Sequence, residues 1–324
     1  MSWTWHGGGL DAARRHFGDG DRPWLDLSTG INPHAWPGVA ALAIDWQRLP
    51  EPHALAELEA SAAAYFGVKP HHLCAVPGTE IGLRLVGGLI GGPARYLAPA
   101  YRTHGEMIAD ATSAGVEDLA EHGGTLILAN PNNPDGHILT RDRLCALLGS
   151  RENGGWLLLD EAFVDVAPES GLAGDIGEGR RLVIFRSFGK FFGLAGVRLG
   201  FVLGPRALVE RVRAALGAWP VSAAAIAIGI AAYRDHGWIE AMRPRLHAEA
   251  AALDAVLART GHRAIGACPL FRLIEIPNGM AQFERLARQA ILTRPFAERP
   301  QWLRIGLPPD AAGLARLAAA LADG

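Results

Sequence analysis

The sequence predicts an α/β fold: a large domain with a mostly parallel sheet between helices, plus a smaller α+β C-terminal domain. Three observations predict it. Across residues 73–204 short apolar runs alternate with amphipathic segments, the pattern of parallel strands covered on both faces by helices. From residue 205 onward, RALVERVRAAL and WIEAMRPRLHAEAAALDAVLART carry apolar residues at helical spacing. FRLIEIP and WLRIGLP then read as short strands. At 324 residues the chain exceeds one typical core, and the expected division is an N-terminal arm over 1–27, a large domain over 28–204 and a small domain over 205–324. With no Ser/Gly linker between them, the domains are expected to pack rather than flex freely.

In chain order, the first informative segment is HGGG, where His6, Gly7 and Gly8 offer a titratable ring and backbone N–H groups that can wrap an anion. CAVPGTEIGLRLV reads as a short strand entering an amphipathic helix, with Gly78, Thr79 and Glu80 at the junction. A helix N-terminus preceded by glycine is a phosphate cradle. GGLIGG (87–92) lacks the GxGxxG spacing and precedes a strand instead of following one, so it is not a dinucleotide fingerprint. YLAPAYR sets Tyr101 after a strand and a proline, where an aromatic ring can stack on a flat heterocycle. LILANPNNPDG (126–136) is an apolar strand running into turn residues that include Asn133. WLLLDEAFVD (156–165) is a buried strand that delivers Asp160 at its carboxyl end, where open α/β sheets bind ligands. AAAIAIGIAAY (223–233) is too short to span a bilayer and reads as a buried helix.

The segment RSFGKFFGLAGVRLG (186–200) sets Ser187, Lys190 and Arg198 at fixed offsets among glycines. An amine that forms a Schiff base needs a lysine held on a short, crowded loop beside the aldehyde, and Ser187 and Arg198 can both turn toward one phosphate. Gly193, Gly196 and Gly200 would let backbone approach where a side chain would collide. This points to pyridoxal 5′-phosphate. Asp160 then faces the task of hydrogen-bonding the protonated pyridine nitrogen, and the amide of Asn133 that of donating to the phenolic oxygen.

These segments follow the order and spacing of the aspartate aminotransferase superfamily, fold type I, which the chain resembles over nearly its whole length. The resemblance implies that Lys190 is the Schiff-base lysine, Asp160 the partner of the ring nitrogen, Asn133 a donor to the phenolic oxygen and Tyr101 the stacking ring. It makes Thr79, Ser187 and Arg198 phosphate ligands, with the backbone at Gly78 and Glu80 helping. Arg304, in WLRIGLP, resembles the arginine that forks onto a substrate α-carboxylate. Within the superfamily, HGGGLDAARRHFG followed by WLDLSTGINPHAWP is similar to the opening of threonine-phosphate decarboxylases of cobalamin biosynthesis: His6, Gly7 and Gly8 match one element, Asn32 and Pro33 another. Arg294, in ILTRPF, is then implied to reach the phosphate of the substrate, a phosphorylated amino acid. The same resemblance implies a homodimer. Two departures stand out. Leu49-Pro50-Glu51 replaces the Tyr-Pro-acid triplet of many relatives, so a cross-subunit hydroxyl is missing, and Phe163 replaces a tyrosine that donates to the phenolic oxygen. The second leaves Asn133 as the main polar partner there and fits the decarboxylases better than the aminotransferases.

Composition agrees with a cytoplasmic enzyme. A formal net charge of −2 with dispersed signs gives no nucleic-acid footprint, and no apolar segment with a basic flank marks a signal peptide in MSWTWHGGG. Cys74, Cys145 and Cys268 lie in or beside apolar runs and read as reduced core residues. No metal is expected: His71 and His72 are adjacent, cannot both face one ion on a helix or strand, and read as a solvated turn after Pro70. The rival readings are a histidinol-phosphate aminotransferase and, from another class, a cofactor-binding metabolite sensor that has lost catalysis.

Overall fold

The computed structural model describes residues 3–4, 6–19, 22–119, 124–151 and 154–322. Met1, Ser2 and Trp5, part of the stretch read for a signal peptide, lie outside the described residues.

Seven strands form one sheet in the order Leu73–Val76, Gly200–Leu203, Leu182–Ser187, Leu157–Asp160, Thr125–Ala129, Ala94–Leu97, Thr112–Ala114. Gly200–Leu203 runs antiparallel to both of its neighbours; the other pairings are parallel. Every residue of Thr125–Ala129, Leu157–Asp160 and Leu182–Ser187 is buried, because helices on both faces leave no solvated side to alternate with. On one face Val76, Leu158, Val183, Phe185 and Val202 pack with Leu83 and Val86 of the helix Thr79–Ile90 and Val209 and Val212 of the helix Arg206–Leu216. On the other, the Phe201 ring lies 5.5 Å from Phe66 and 5.8 Å from Tyr233, in the helices Pro52–Phe66 and Ala223–Arg234. The edge strand Leu73–Val76 is protected by side chains: Ala75 N donates to Glu59 Oε1 (2.9 Å), and Arg213 Nη2 donates to Glu59 Oε2 (2.6 Å) and Leu73 O (2.7 Å).

The chain divides into two compact units, one of residues 35–133 and 138–241, the other of residues 1–34, 134–137 and 242–324. The first holds the seven-stranded sheet. Arg206–Leu216 and Ala223–Arg234, grouped with the C-terminal part on pattern alone, fall in this unit because their apolar faces are spent on the sheet and its helices. The second holds an antiparallel sheet in the order Arg294–Pro295, Trp302–Gly306, Phe271–Glu275, Ala264–Ile265, and a parallel pair of Leu25–Asp26 with Ile291–Leu292. The N-terminal segment is built into this unit. Leu25 N donates to Ala290 O (2.9 Å), Gly306 N donates to Leu27 O (2.7 Å), and the Trp3 ring packs 5.5 Å from Phe283. Residues 134–137 join it because Gly136 O accepts from Ala267 N (2.8 Å).

Among the described residues no helix is long and apolar enough to cross a membrane. Cys74, Cys145 and Cys268 are free thiols; Cys74 and Cys268 are buried and Cys145 half-buried.

Candidate active site

In the sheet-bearing unit, register sets Asp160 beside Ala129 on one side and Phe185 on the other, so three parallel strands finish together and their loops leave a crevice. All nine residues expected around a cofactor, Gly78, Thr79, Glu80, Tyr101, Asn133, Asp160, Ser187, Lys190 and Arg198, line this one cavity; Ala162, Phe163, Gly189 and Leu199 are among the remaining walls.

One part of the cavity is an anion cradle. Gly78 precedes the helix Thr79–Ile90 with φ +88°, and a Cβ there would lie 2.5 Å from Arg198 Nη2. A Cβ on Gly200 would lie 2.7 Å from Thr79 N. Glycine at both positions lets the Arg198 guanidinium and the first N–H groups of the helix converge without side-chain bulk, which suits a phosphate. Gly196 acts differently from expectation, since a Cβ there would meet open space, and Gly193 has a φ of +68°, which favours glycine.

Asp160 is held from two sides. Its Oδ1 accepts from Ala162 N (3.0 Å), and its Oδ2 lies 3.1 Å from Nε2 of His104, a fully buried ring. Against a carboxylate, Nε2 carries the hydrogen. Sequence reasoning missed His104. The signal was its spacing: three residues after Tyr101, at the start of the helix Arg102–Glu106, it falls on the same side as that ring, 5.8 Å away.

Lys190 sits on the short helix Phe188–Phe191, with Nζ 5.6 Å from the centre of the Phe163 ring. The loop is rigid for physical reasons. Phe188 stacks on Phe192 (4.6 Å), Phe192 stacks on Trp238 (5.5 Å), and a Cβ on Gly189 would lie 2.6 Å from Ala195 Cα, so only glycine allows the chain to fold back there. Beneath the cavity a second feature missed in the sequence ties the strands together. Arg186 Nη1 donates to Glu161 Oε2 (3.2 Å), Arg186 Nη2 donates to Asp165 Oδ1, and Glu161 Oε1 accepts from Leu172 N (2.6 Å), all buried. Burial pushes the Glu161 carboxyl up, against the lowering effect of Arg186. Two of the three charged members neighbour a cavity residue in sequence, Glu161 next to Asp160 and Arg186 next to Ser187.

Except for Asn133, the residues expected to bind substrate lie in the other unit. Gly8 N donates to Ser28 Oγ (2.8 Å), and Gly7 packs so closely that a Cβ would sit 2.2 Å from Ser28 O. The same carbonyl accepts from Arg304 Nη2 (3.0 Å). His6 is exposed, with Nδ1 2.9 Å from Gly7 O. Arg294 is the cross-strand partner of Arg304, and their guanidinium groups lie over the rings of Phe296 (4.9 Å) and Phe271 (5.0 Å). Burial, and then the charge of Arg294, push the Arg304 guanidinium well below its usual range. Two guanidinium groups on paired residues of neighbouring strands suit an anionic ligand. Asn32 is buried, and its Oδ1 accepts from His34 N (2.9 Å), closing a turn.

The histidine pair corrects an expectation. On the 3-10 turn Pro70–His72 the two rings approach to 4.3 Å, His72 is buried with Nδ1 donating to Gly204 O (2.9 Å), and His71, His72 and Glu178 bring ligand atoms within 4.8 Å of one another.

The model for aminotransferase class I and II matches residues 98–321. Threonine-phosphate decarboxylase of Sinorhizobium sp. is 42% identical over 98% of this chain and 97% of its own length. Threonine-phosphate decarboxylase of Pseudomonas aeruginosa is 38% identical over 98% of this chain and 96% of its own. The crystal structure of histidinol-phosphate aminotransferase from Sinorhizobium meliloti in complex with pyridoxal-5′-phosphate superposes with a TM-score of 0.83 at 21% identity, covering 98% of this chain and 94% of that one, and thereby shares the fold. A strand-end cavity of this composition and two full-length relatives of one kind lead to the same assignment: the chain belongs to the threonine-phosphate decarboxylase family, within the class I and II aminotransferases.

Proposed function

We propose that the chain is a pyridoxal 5′-phosphate-dependent carbon–carbon lyase that decarboxylates O-phospho-L-threonine to 1-aminopropan-2-ol phosphate in cobalamin biosynthesis. The observation that carries the reading is the match to two threonine-phosphate decarboxylases over 98% of the chain. The cavity supports the cofactor, because a glycine-lined cradle, a carboxylate, an aromatic ring and an amine are the donors that a phosphorylated pyridine aldehyde needs. When bound, pyridoxal phosphate supplies a cationic conjugated ring that takes up the electron pair of a bond broken at the substrate's α-carbon.

In this reading the chain's own residues bind, orient and move protons. Thr79, Ser187, Arg198 and the backbone at Gly78 and Glu80 hold the cofactor phosphate. Asp160, oriented by His104, accepts a hydrogen bond from the protonated ring nitrogen, and Asn133 donates to the phenolic oxygen without help from Phe163, which has no hydroxyl. Tyr101 stacks on the ring. Lys190 Nζ forms the covalent link and returns a proton to the substrate's α-carbon. Arg304 pairs with the substrate carboxylate, and Arg294 with His6, Gly7 and Gly8 takes its phosphate, Asn32 shaping the chain beside them. Two arginines on paired residues of neighbouring strands suit a substrate with two anionic groups.

Two copies are proposed to form a homodimer in the cytoplasm, with no nucleic-acid or membrane partner. Exposed Trp46, Leu49 and Trp219, with Trp219 on the rim of an apolar groove that also contains Pro50, Leu55 and Val221, are the surface that supports association. The reading is tested by incubating purified protein with pyridoxal phosphate and O-phospho-L-threonine and identifying the product by mass: 1-aminopropan-2-ol phosphate is expected, and recovery of substrate alone would refute it.

A further inference from the structure

The Glu80 side chain does something that a backbone role at the cradle does not explain. Its Oε2 accepts from both Tyr101 Oη (3.0 Å) and Thr103 Oγ1 (2.8 Å), and its Oε1 accepts from Arg84 Nε (2.7 Å). Arg84 Nη2 in turn donates to Glu106 Oε2 (3.0 Å). A carboxylate in the first turn of Thr79–Ile90 lies at the end of the helix that forms the anion cradle, where an uncommitted negative charge would repel a phosphate. Commitment to Arg84, Thr103 and Tyr101 neutralises it and turns it to use. Tyr101 precedes the helix Arg102–Glu106 in extended backbone, which leaves both side-chain torsions of the ring to be set by its contacts. The His104 ring touches it edge-on at 84°, and the hydrogen bond from Tyr101 to Glu80 is the directional restraint at the far end of the ring.

We propose that the Glu80 carboxylate is a positioning residue that aims the Tyr101 ring into the cofactor cavity, a role that rests on the cofactor reading above. The polarity of the bond is secure near neutral pH. Burial pushes the Tyr101 phenol up, and the charge of Glu80 adds to it, so the phenol stays a donor. Burial raises the Glu80 carboxyl, but bonds from Thr103, Arg84 and Tyr101 outweigh that and hold it below the ordinary range, so it stays an acceptor. Thr103 and Arg84 alone would suffice to anchor Glu80. The third bond adds no anchor that the helix needs; it fixes a ring with a face to offer.

A double-mutant cycle on the cofactor-free protein tests this. Pyridoxal phosphate is titrated into the parent, Glu80→Ala, Tyr101→Phe and the double variant, and both the dissociation constant and the visible circular dichroism of the bound cofactor are read. Tyr101→Phe keeps the ring and loses only the hydroxyl. Each single variant is expected to weaken binding by about tenfold and to diminish the dichroic band, with the double variant no weaker than Glu80→Ala. Glu80→Gln, which retains an acceptor, is expected to keep most of the band, and Glu80→Leu, which has none, carries the same cycle should the alanine variant fold poorly. Losses that multiply to about a hundredfold in the double variant, or an unchanged band in Tyr101→Phe, would overturn the positioning role. Failure of the parent itself to bind pyridoxal phosphate would instead overturn the cofactor reading.

Discussion

At the residue scale, Lys190 and Arg294 carry separable parts of the account. Lys190 lies on a loop whose rings and glycine leave it little freedom, which is the setting a covalent amine requires. Lys190→Ala is expected to abolish turnover, and borohydride, which should attach the cofactor to Lys190 in the parent, should leave this variant unlabelled by mass; turnover at the parental rate would remove the lysine from its role. Arg294 is assigned to the substrate's phosphate alone. Arg294→Ala should therefore weaken O-phospho-L-threonine far more than L-threonine, because only the former loses a charge-assisted contact. Removal of one such partner costs roughly 1.5 to 3 kcal/mol, about one to two orders of magnitude in binding. Equal losses for the two ligands in competition assays would return Arg294 to a structural role.

At the element scale, the N-terminal segment is a wall of its unit, packed between the Trp3–Phe283 contact and the backbone of Ser28. Gly7→Ala places a methyl group against Ser28 O, the carbonyl that accepts from Arg304, so either the segment or Ser28 must move. The expected outcome is a raised KM for phosphothreonine of about tenfold or more with the spectrum of the bound cofactor unchanged; an unchanged KM would detach the segment from Arg304. The elements also show what the sequence could convey. The parallel strands and their terminal residues Asp160 and Ser187 were legible because apolar runs and loop glycines are local signals. The pairing of Leu25–Asp26 with Ile291–Leu292 was not, since two-residue strands carry no period and their partners are far apart in the chain. The Arg186–Glu161–Asp165 cluster escaped for a related reason: a polar residue inside an apolar run is explained only by a partner brought from another element. The burial of Arg304 became visible only once the strand Trp302–Gly306 was placed between two neighbours.

At the scale of the whole molecule, association and reaction type are the remaining claims. Leu49, Trp46 and Trp219 stand exposed and offer apolar surface that a second copy would cover. Light scattering is expected to give the mass of two chains at assay concentration, and an active species with the 34.4 kDa mass of one would contradict this. Reaction type is the central claim, because the cofactor residues serve a decarboxylase and an aminotransferase alike. The most direct measurement uses O-phospho-L-threonine labelled at its carboxyl carbon, with histidinol phosphate and 2-oxoglutarate offered to a parallel sample of the same protein. Release of labelled carbon dioxide, dependent on Lys190 and without amino transfer in the parallel sample, is the predicted result; retention of the label alongside brisk formation of glutamate from histidinol phosphate would contradict it.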